Sequence, residues 1–313
     1  MSASNSAVQV RPFRRADRHQ LTSLVNRHLQ AVVPGTAVSV NTVLSQLEGE
    51  PDEFIVDPWV GERRTLVAEQ RGRISAAAYL QLYRDGADVN VHLRGTGAIR
   101  WLLCWPDAPF WPDASAAGEA VVRTAVDWFR GSGVRRIDAD GALPAPGSYG
   151  IPDCWPHIQH LLAAAGFSRA DRYETVYLAD VGGLPRIDAP LPTVACTRSL
   201  GVNGTRLTAR LDGTAIGYIE VESVSTDAGR TGQNAGWADI GNLEVDERFR
   251  RKGLGRWLLG EAADWLRLGH VDRLIAYAEH THIEEQAFYS AAGFVELTRT
   301  GRDWHRNLGQ STV

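Results

Sequence analysis

The chain has 313 residues, of which 44% are hydrophobic and 22% charged, an ordinary globular composition that is sufficient for two domains of moderate size. The formal net charge of −4 argues against nucleic acid as a partner, because non-specific binding of that kind needs a basic surface. The first residues contain no apolar signal core, and no apolar run is long enough to span a membrane. The sequence therefore predicts a cytoplasmic protein with no membrane partner.

Helical and strand patterns follow one another in a definite order in the N-terminal half. Two helical segments, "ADRHQLTSLVNRHLQAVV" and "VNTVLSQLEG", precede the hairpin pattern "RTLVAEQRGRISAAAYLQL", which turns at Arg71-Gly72. The strand pattern "GAIRWLLCW", a long helix, another strand, a short helix ending in "AAGF" and a last strand follow. This order predicts a mixed sheet flanked by helices.

The C-terminal half repeats this order but starts later. A Pro/Gly-rich linker, 181–193, separates the halves, and the next hairpin turns at Asp212-Gly213 almost directly after Cys196. The two helical segments of the first half have no counterpart here. The sequence predicts an α/β (α+β) protein with domains 1–180 and 194–313, each a mixed, mostly antiparallel sheet flanked by helices.

The halves are related by duplication. "VDWFRGSGVRRI", which starts at Val126, aligns without a gap with "ADWLRLGHVDRL", which starts at Ala263. Further on, Gly166-Phe167 corresponds to Gly293-Phe294, although the N-terminal copy is about ten residues longer between the two matches.

A cationic turn distinguishes the C-terminal copy. In "FRRKGLG", Arg250, Arg251 and Lys252 directly precede a helix, where positive charge opposes the helix dipole. Free N–H groups of the first helical turn attract an anion, and Gly253 and Gly255 let it approach the backbone. We therefore expect a phosphate-bearing ligand here, although a merely solvated basic loop is the alternative. Neither a GxxxxGK[ST] loop nor a dinucleotide-binding GxGxxG motif is present.

The segment "LEVDERFRRKGLGRWLL" resembles the acyl-CoA-binding segment of the GCN5-related N-acetyltransferases (GNAT superfamily), with its pattern Arg/Gln-x-x-Gly-x-Gly/Ala. The downstream "AFYSAAGF" is similar to the same family's Tyr-x-x-x-Gly-Phe segment. The resemblance implies two tandem GNAT-like domains, with acetyl-CoA as the cosubstrate. The cofactor-binding residues that it implies are Leu243, Val245, Arg250, Arg251, Lys252, Gly253, Leu254, Gly255, Arg256, His282 and Phe288.

Catalytic residues are predicted from the same resemblance. Tyr289 stands where the family keeps the proton donor to the departing thiolate, with an ordinary core aromatic residue as the alternative. Glu244 is the predicted base, and four other carboxylates remain open for that role. His282 takes the place of a family Asn, and the run around it lacks a third spaced metal ligand, so no metal is expected. The other carboxylates are Glu220, Glu222, Asp239 and Glu279.

The N-terminal copy lacks these groups. The hexapeptide aligned with the cationic turn is "DASAAG", from Asp113 to Gly118, and Tyr289 aligns with Leu162. An aspartate would repel a pyrophosphate, so we expect this degenerate copy not to bind CoA.

The predicted function is an N-acyltransferase that transfers an acyl group, acetyl by default, to a primary amine of a small molecule or peptide. A non-catalytic acyl-CoA sensor or protein-interaction module is the alternative. Aminoacyl-tRNA-dependent transfer, a third possibility, is disfavoured by the acidic charge balance. The protein is expected to be a monomer or homodimer.

Overall fold

The computed structural model of the protein describes residues 8–48, 57–106, 114–145, 149–223 and 236–309. The chain divides into two compact units. The first unit comprises Met1–Tyr173 together with Arg299–Val313, and the second comprises Glu174–Thr298. No helix within the described ranges is both long and apolar enough to cross a membrane.

The first unit contains a seven-stranded sheet in the order β1-β2-β3-β4-β5-β15-β7, in which β4 and β5 are parallel. Its other strand pairs are antiparallel. The elements are β1 (Gln9–Pro12), α1 (Arg18–Val32), α2 (Val40–Glu48), β2 (Val60–Gln70), β3 (Arg73–Tyr83), β4 (Gly97–Cys104), α3 (Ala114–Gly131), β5 (Arg136–Ala139), β6 (Ile151–Pro152), α4 (Pro156–Ala164), β7 (Ser168–Arg169) and β15 (Trp304–Asn307).

The sheet of the second unit has the order β14-β8-β13-β12-β11-β10-β9, and β12 and β13 form its parallel pair. The short strand β6 pairs with the end of β14 at Thr300 and Gly301, which belong to the first unit. The elements are β8 (Tyr173–Asp180), β9 (Ala195–Gly201), β10 (Gly204–Leu211), β11 (Thr214–Ser223), β12 (Trp237–Val245), α5 (Leu254–Leu268), β13 (Arg273–Glu279), α6 (Ile283–Ala291) and β14 (Val295–Gly301).

Both predicted hairpins form at their predicted turns. Arg71 and Gly72 have φ values of 51° and 75°, and Asp212 and Gly213 have values of 48° and 82°. Two successive positive φ angles are the geometry of the type I′ turn, which matches the twist of the flanking strands. The predicted α/β fold is confirmed in each unit.

One strand of the second unit differs from the sequence prediction. The hairpin was expected to follow Cys196 almost directly, whereas β9 comes first and pairs with β10 across a two-residue connection at Val202 and Asn203. Most of β9 is solvent-exposed, so it carries no apolar alternation that would reveal a strand. No helix lies between β9 and β10, whereas α1 and α2 separate β1 from β2.

The compact units differ from the two sequence repeats because each repeat gives its last strand to the other sheet. In the first unit β15 lies between β5 and β7, and in the second unit β8 lies between β13 and β14. The predicted boundaries of domains 1–180 and 194–313 therefore do not coincide with the compact units. The predicted linker 181–193 begins as a single helical turn with Val181 buried, and Arg267 of α5 donates hydrogen bonds to the carbonyl oxygens of Val181 and Leu184.

Helix α5 covers one face of the second sheet. Its buried side chains recur at helical spacing and include Leu254, Trp257, Leu258 and Leu266. They pack with Leu207, Ile219, Ile240 and other inward-facing strand residues into one hydrophobic core. This packing fixes the start of α5 beside the end of β12.

Candidate active site

A fork between two parallel strands forms the centre of the candidate site. β12 and β13 pair at only three positions, the last being Asp239 with Ile275, although both strands continue beyond this point. The register of β12 against β11 shifts between Glu220 and Val221, so that Gly241 is left as a bulge. The bulge redirects β12, and the edge of β12 that faces β13 lies open from there to Val245.

The cationic turn connects this edge to α5. The carboxylate of Asp246 accepts a hydrogen bond from the backbone N–H of Arg248, and a short 3₁₀ turn, Glu247–Phe249, follows. Arg251 and Gly253 have φ values of 62° and 86°, both in the left-handed region. A side chain at Gly253 would be strained in that backbone conformation, which explains the glycine. The chain then enters α5 at Leu254.

The fork, the turn and the starts of α5 and α6 enclose a cavity of about 960 Å³. The structure brings nearly all the predicted site residues together in its lining. These are Leu243, Glu244, Val245, Arg250, Arg251, Gly253, Leu254, Gly255, Arg256, His282 and Phe288.

Three arginines contribute positive charge to the cavity at the start of α5, and three glutamates, Glu244, Glu284 and Glu285, also line it. Arg250 is held at the turn, where its Nε donates to the carbonyl oxygen of Val245 at 3.1 Å. Arg256 donates to the carbonyl oxygen of Ala291 at 3.2 Å, and Arg251 is exposed. Cations in the first turn of a helix oppose its dipole, so this arrangement suits an anionic ligand.

Two predicted site residues do not line the cavity. The ammonium group of Lys252 lies 5.4 Å from the centre of the Phe249 ring. Tyr289 is only 2% exposed and contacts the rings of Tyr177, Phe288 and Phe294 in the core. Tyr289 is therefore packed as a core aromatic residue, which was the alternative expectation, and its role as proton donor stays a prediction.

The hydroxyl of Tyr289 is linked to the cavity through a residue that the sequence did not single out as catalytic. It donates a long hydrogen bond, 3.5 Å, to Oε1 of Glu285, whose side chain lines the cavity. Burial, followed by the nearby carboxylate of Glu285, raises the pKa of Tyr289. Burial also raises the pKa of Glu285, although His282 opposes that shift. The spacing of Glu285 and Tyr289, one helical turn apart on α6, was the available signal.

The carboxylates considered as bases have different surroundings. Glu220 is 1% exposed and binds Arg206 at 2.6 Å. Burial alone would raise the pKa of Glu220, but Arg206 and the backbone N–H groups of Asn203 and Val202 hold it below its usual value. Glu220 is thus committed to a structural ion pair. Glu244 is exposed at the cavity and faces Tyr218 across the strand pair.

Asp239 lies where the fork begins. Burial and the neighbouring Glu222 raise the pKa of Asp239 to about 6, although a 3.4 Å hydrogen bond from the hydroxyl of Tyr277 opposes the shift. A carboxylate with such a pKa changes its protonation state close to neutral pH, as a general base does. Within the described ranges, no group of three or more His, Cys, Asp and Glu side chains is placed to hold a metal ion.

The corresponding fork in the first unit is closed by the chain itself. β4 and β5 also pair at only three positions, but the next residues continue along β4: Asp140 donates its N–H to the carbonyl oxygen of Ile99, and Ala142 donates to that of Arg100. The carbonyl oxygen of Ala142 in turn accepts a hydrogen bond from Gln46. The edge that is open in the second unit is therefore paired here.

Buried side chains complete this closure. Trp155, from the segment that makes the N-terminal copy longer, is 1% exposed, and its indole N–H donates to the carbonyl oxygen of His28. Leu162, the counterpart of Tyr289, is fully buried. Asp113, the counterpart of Arg250, lies outside the described residues.

One protein family matches part of the second unit. The profile of a family described as "Acetyltransferase (GNAT) family" matches residues 185–294. No curated protein matched the sequence.

Solved structures match almost the whole chain at low identity, and these matches show the fold. A tandem GNAT protein from the clavulanic acid biosynthesis pathway is 18% identical with a TM-score of 0.64, and the match covers 97% of this chain and 100% of that protein. The GCN5-related glucosamine N-acetyltransferase region of a fungal multi-domain GH3 β-N-acetylglucosaminidase is 15% identical with a TM-score of 0.64. That match covers 97% of this chain but only 38% of the fungal protein. A GCN5-related N-acetyltransferase from Sphaerobacter thermophilus is 14% identical with a TM-score of 0.60, over 96% of this chain and 95% of that one.

Proposed function

Because the profile of the acetyltransferase (GNAT) family matches residues 185–294, we propose that this chain is an acyl-CoA-dependent N-acyltransferase with its working site in the second unit. Acetyl-CoA is the expected cosubstrate, and the acceptor is a primary amine of a small molecule or a peptide. The observation that carries the proposal is the open strand fork, which leads directly to the cationic turn at the start of α5.

The residues fit the two chemical parts of acetyl-CoA. The first-turn N–H groups of α5 and the side chains of Arg250 and Arg251 can bind a pyrophosphate. Gly253 and Gly255 have no side chains, so the pyrophosphate can approach the backbone closely. A Cβ atom at Gly255 would lie 3.3 Å from the ring of Phe288, so there is little room for a side chain between α5 and this ring. The open edge of β12 offers backbone hydrogen-bonding groups to the amide-containing pantetheine arm.

Acyl transfer requires a neutral amine and a proton for the departing thiolate. Asp239 has the environment that a base near neutral pH needs, whereas Glu244 has the more accessible position. Tyr289 is the proposed proton donor. The acidic side chains near the fork favour a cationic amine as acceptor; they are Glu222, Asp239 and Glu244.

The proposal is tested by measuring CoA release from acetyl-CoA with a thiol reagent, in the presence of a panel of primary amines. We expect turnover with at least one cationic amine, and a fall in kcat of about 100-fold in Tyr289→Phe, the scale of a lost general acid. Asp239→Asn and Glu244→Gln assayed in parallel identify the base. CoA binding without release across the panel would contradict the proposal and favour a non-catalytic acyl-CoA sensor.

A further inference from the structure

In the second unit, two charged side chains of α5 hold the linker segment. Arg267 donates hydrogen bonds to the carbonyl oxygens of Val181 and Leu184 at 2.6 and 2.8 Å. The carboxylate of Asp264 accepts a hydrogen bond from Nε of Arg186 at 2.9 Å, and it also accepts one from Arg267 at 2.5 Å. This Asp–Arg pair therefore binds both the backbone and a cationic side chain of a peptide segment.

The first unit has the same pair at the matching positions of α3. Asp127 and Arg130 align without a gap with Asp264 and Arg267. Nη1 of Arg130 donates to Oδ1 of Asp127 at 2.7 Å, so the ion pair within the helix is also the same. The side chains of Asp127 and Arg130 are 62% and 50% exposed, against 49% and 22% for Asp264 and Arg267. The pair that the linker covers in the second unit is thus more accessible in the first.

The accessible pair lies beside a groove between α3 and α4, a cavity of about 460 Å³ that we call the α3 groove. Part of its lining is apolar, from Val122, Val126 and Leu161. The other charged side chains in the lining are Glu119, Arg123 and Arg306. Arg306 donates a hydrogen bond to the carbonyl oxygen of Ala165, just after α4. A concave surface that combines apolar side chains with a few polar groups is typical of a binding site.

One residue of the α3 groove differs from its counterpart on α5. Gly260 is buried, and a Cβ atom there would lie 3.1 Å from the carbonyl oxygen of Pro185 in the linker. Arg123 stands at the matching position of α3 and is exposed. A peptide in the α3 groove therefore lies farther from the helix backbone at this point than the linker does from α5, whereas the Asp–Arg pair is the same in both units.

We propose that the α3 groove binds a peptide segment of a partner protein, in which an apolar residue stands two positions before an arginine. The linker supplies this pattern, since Leu184 is only 4% exposed and Arg186 follows it at that spacing. Arg130 donates to backbone carbonyl oxygens of the segment, and Asp127 accepts from its arginine, as their counterparts do with the linker. The α3 groove shares no lining residue with the cavity at the start of α5, so this inference does not depend on acyl transfer.

Fluorescence polarisation tests the proposal on the full chain, with a labelled peptide of residues 181–187, Val-Gly-Gly-Leu-Pro-Arg-Ile. We expect saturable binding, with a Kd at least about fivefold higher in Asp127→Asn and in Arg130→Gln, because each loses a charge-assisted hydrogen bond. A second peptide, with Gln in place of its Arg, should bind the wild type about fivefold more weakly. In Asp127→Asn the two peptides should have Kd values within about twofold, because both changes remove the same contact.

The matched control is Asp264→Asn, since the linker already holds that carboxylate in the second unit. This variant should keep the Kd of the peptide within about twofold of the wild-type value. An equal loss in Asp264→Asn would mean that the peptide displaces the linker, and it would overturn the proposal, as would the absence of saturable binding at millimolar peptide. Tighter binding in a chain that lacks residues 1–7 would place the chain's own N-terminus in the groove, and binding that weakens as the protein concentration rises would place a second copy there. Either result would also overturn the proposal.

Discussion

The two strand forks share the same strand pairing but differ along the edge beside which the candidate site lies. Both units contain a parallel strand pair that ends after three positions, and in each unit a helix with a buried apolar face lies between the two strands in the sequence. In the second unit the edge beyond the pair is open and faces a cationic turn. In the first unit Asp140 and Ala142 pair with that edge, and Trp155 lies buried in the same unit. The cations and the open edge occur together in the second unit and are both absent from the first, whereas the strand pair and the helix occur in both.

The largest expected effect concerns the closed fork. Trp155→Ala removes a fully packed indole and its hydrogen bond to His28, so the first unit should lose about 3–5 kcal/mol of stability, as large-to-small changes at buried aromatic residues do. Chemical denaturation measures the loss. Trp128→Ala, at a half-buried tryptophan of the same unit, is the control and should cost less. An equal cost at both positions would mean that Trp155 is no more important to packing than a half-buried tryptophan.

A negative charge placed at the start of α5 and at the start of α3 tests whether CoA binds at only one of the two helices. Gly253→Asp adds a strained backbone and a negative charge at the cationic turn, so the Kd for acetyl-CoA should rise about 100-fold or more. Ala116→Asp is the matched change in the first unit, at an exposed position near the start of α3. Isothermal titration should find CoA binding unaltered in that variant. Weakened binding in Ala116→Asp would show that the first unit holds a CoA site after all.

If Asp239 is the base, its protonation should determine how kcat/KM depends on pH. The pKa of Asp239 is raised to about 6, so kcat/KM should rise about tenfold per pH unit below 6 and level off above it. Asp239→Asn should lack this rise. A pH profile of unchanged shape in the variant would assign the base to another group.

The same substitution has a predictable effect on folding. A carboxyl whose pKa is raised from 3.8 to about 6 holds more protons in the folded state between these values, so this group lowers stability as the pH rises through that window. Asp239→Asn removes the penalty and should increase the free energy of unfolding at pH 7 by on the order of 2 kcal/mol. Denaturation at pH 4 serves as the control, because the difference there should be small.

The smallest expected effect distinguishes Arg251 from Lys252, two neighbouring cations of the same turn. Arg251 lines the cavity, whereas Lys252 is not among its lining residues and its ammonium group lies 5.4 Å from the centre of the Phe249 ring. Arg251→Ala should therefore raise the Kd for acetyl-CoA several-fold, with less effect at high salt, and Lys252→Ala should change it by less than about twofold. Equal losses would mean that only the summed charge of the turn matters.

Local patterns were sufficient to predict the hairpins and the helices, and the resemblance to a known family supplied most of the residues that line the cavity. Positive-φ turns at Arg71 and Asp212 and the spacing of Gly253 and Gly255 depend on a few adjacent residues, and such signals can be read from one sequence. The surroundings of Asp239 and Glu285 could not be read in this way, because their burial depends on chain segments distant in sequence. Strand β9 was missed because an exposed edge strand needs no apolar pattern.

The exchanged last strands carry a consequence for the order of biosynthesis. β15 occupies an interior position in the first sheet, between β5 and β7, yet it lies some 165 residues beyond β5 in the sequence. The first unit thus stays incomplete on the ribosome until residues 304–307 have emerged, long after the rest of its sheet has been made. If the gene were cut at the 181–193 linker, each half would lack one strand of its sheet: β15 in the first and β8 in the second. The two similar halves therefore cannot be separated into two complete sheets by one cut in the chain.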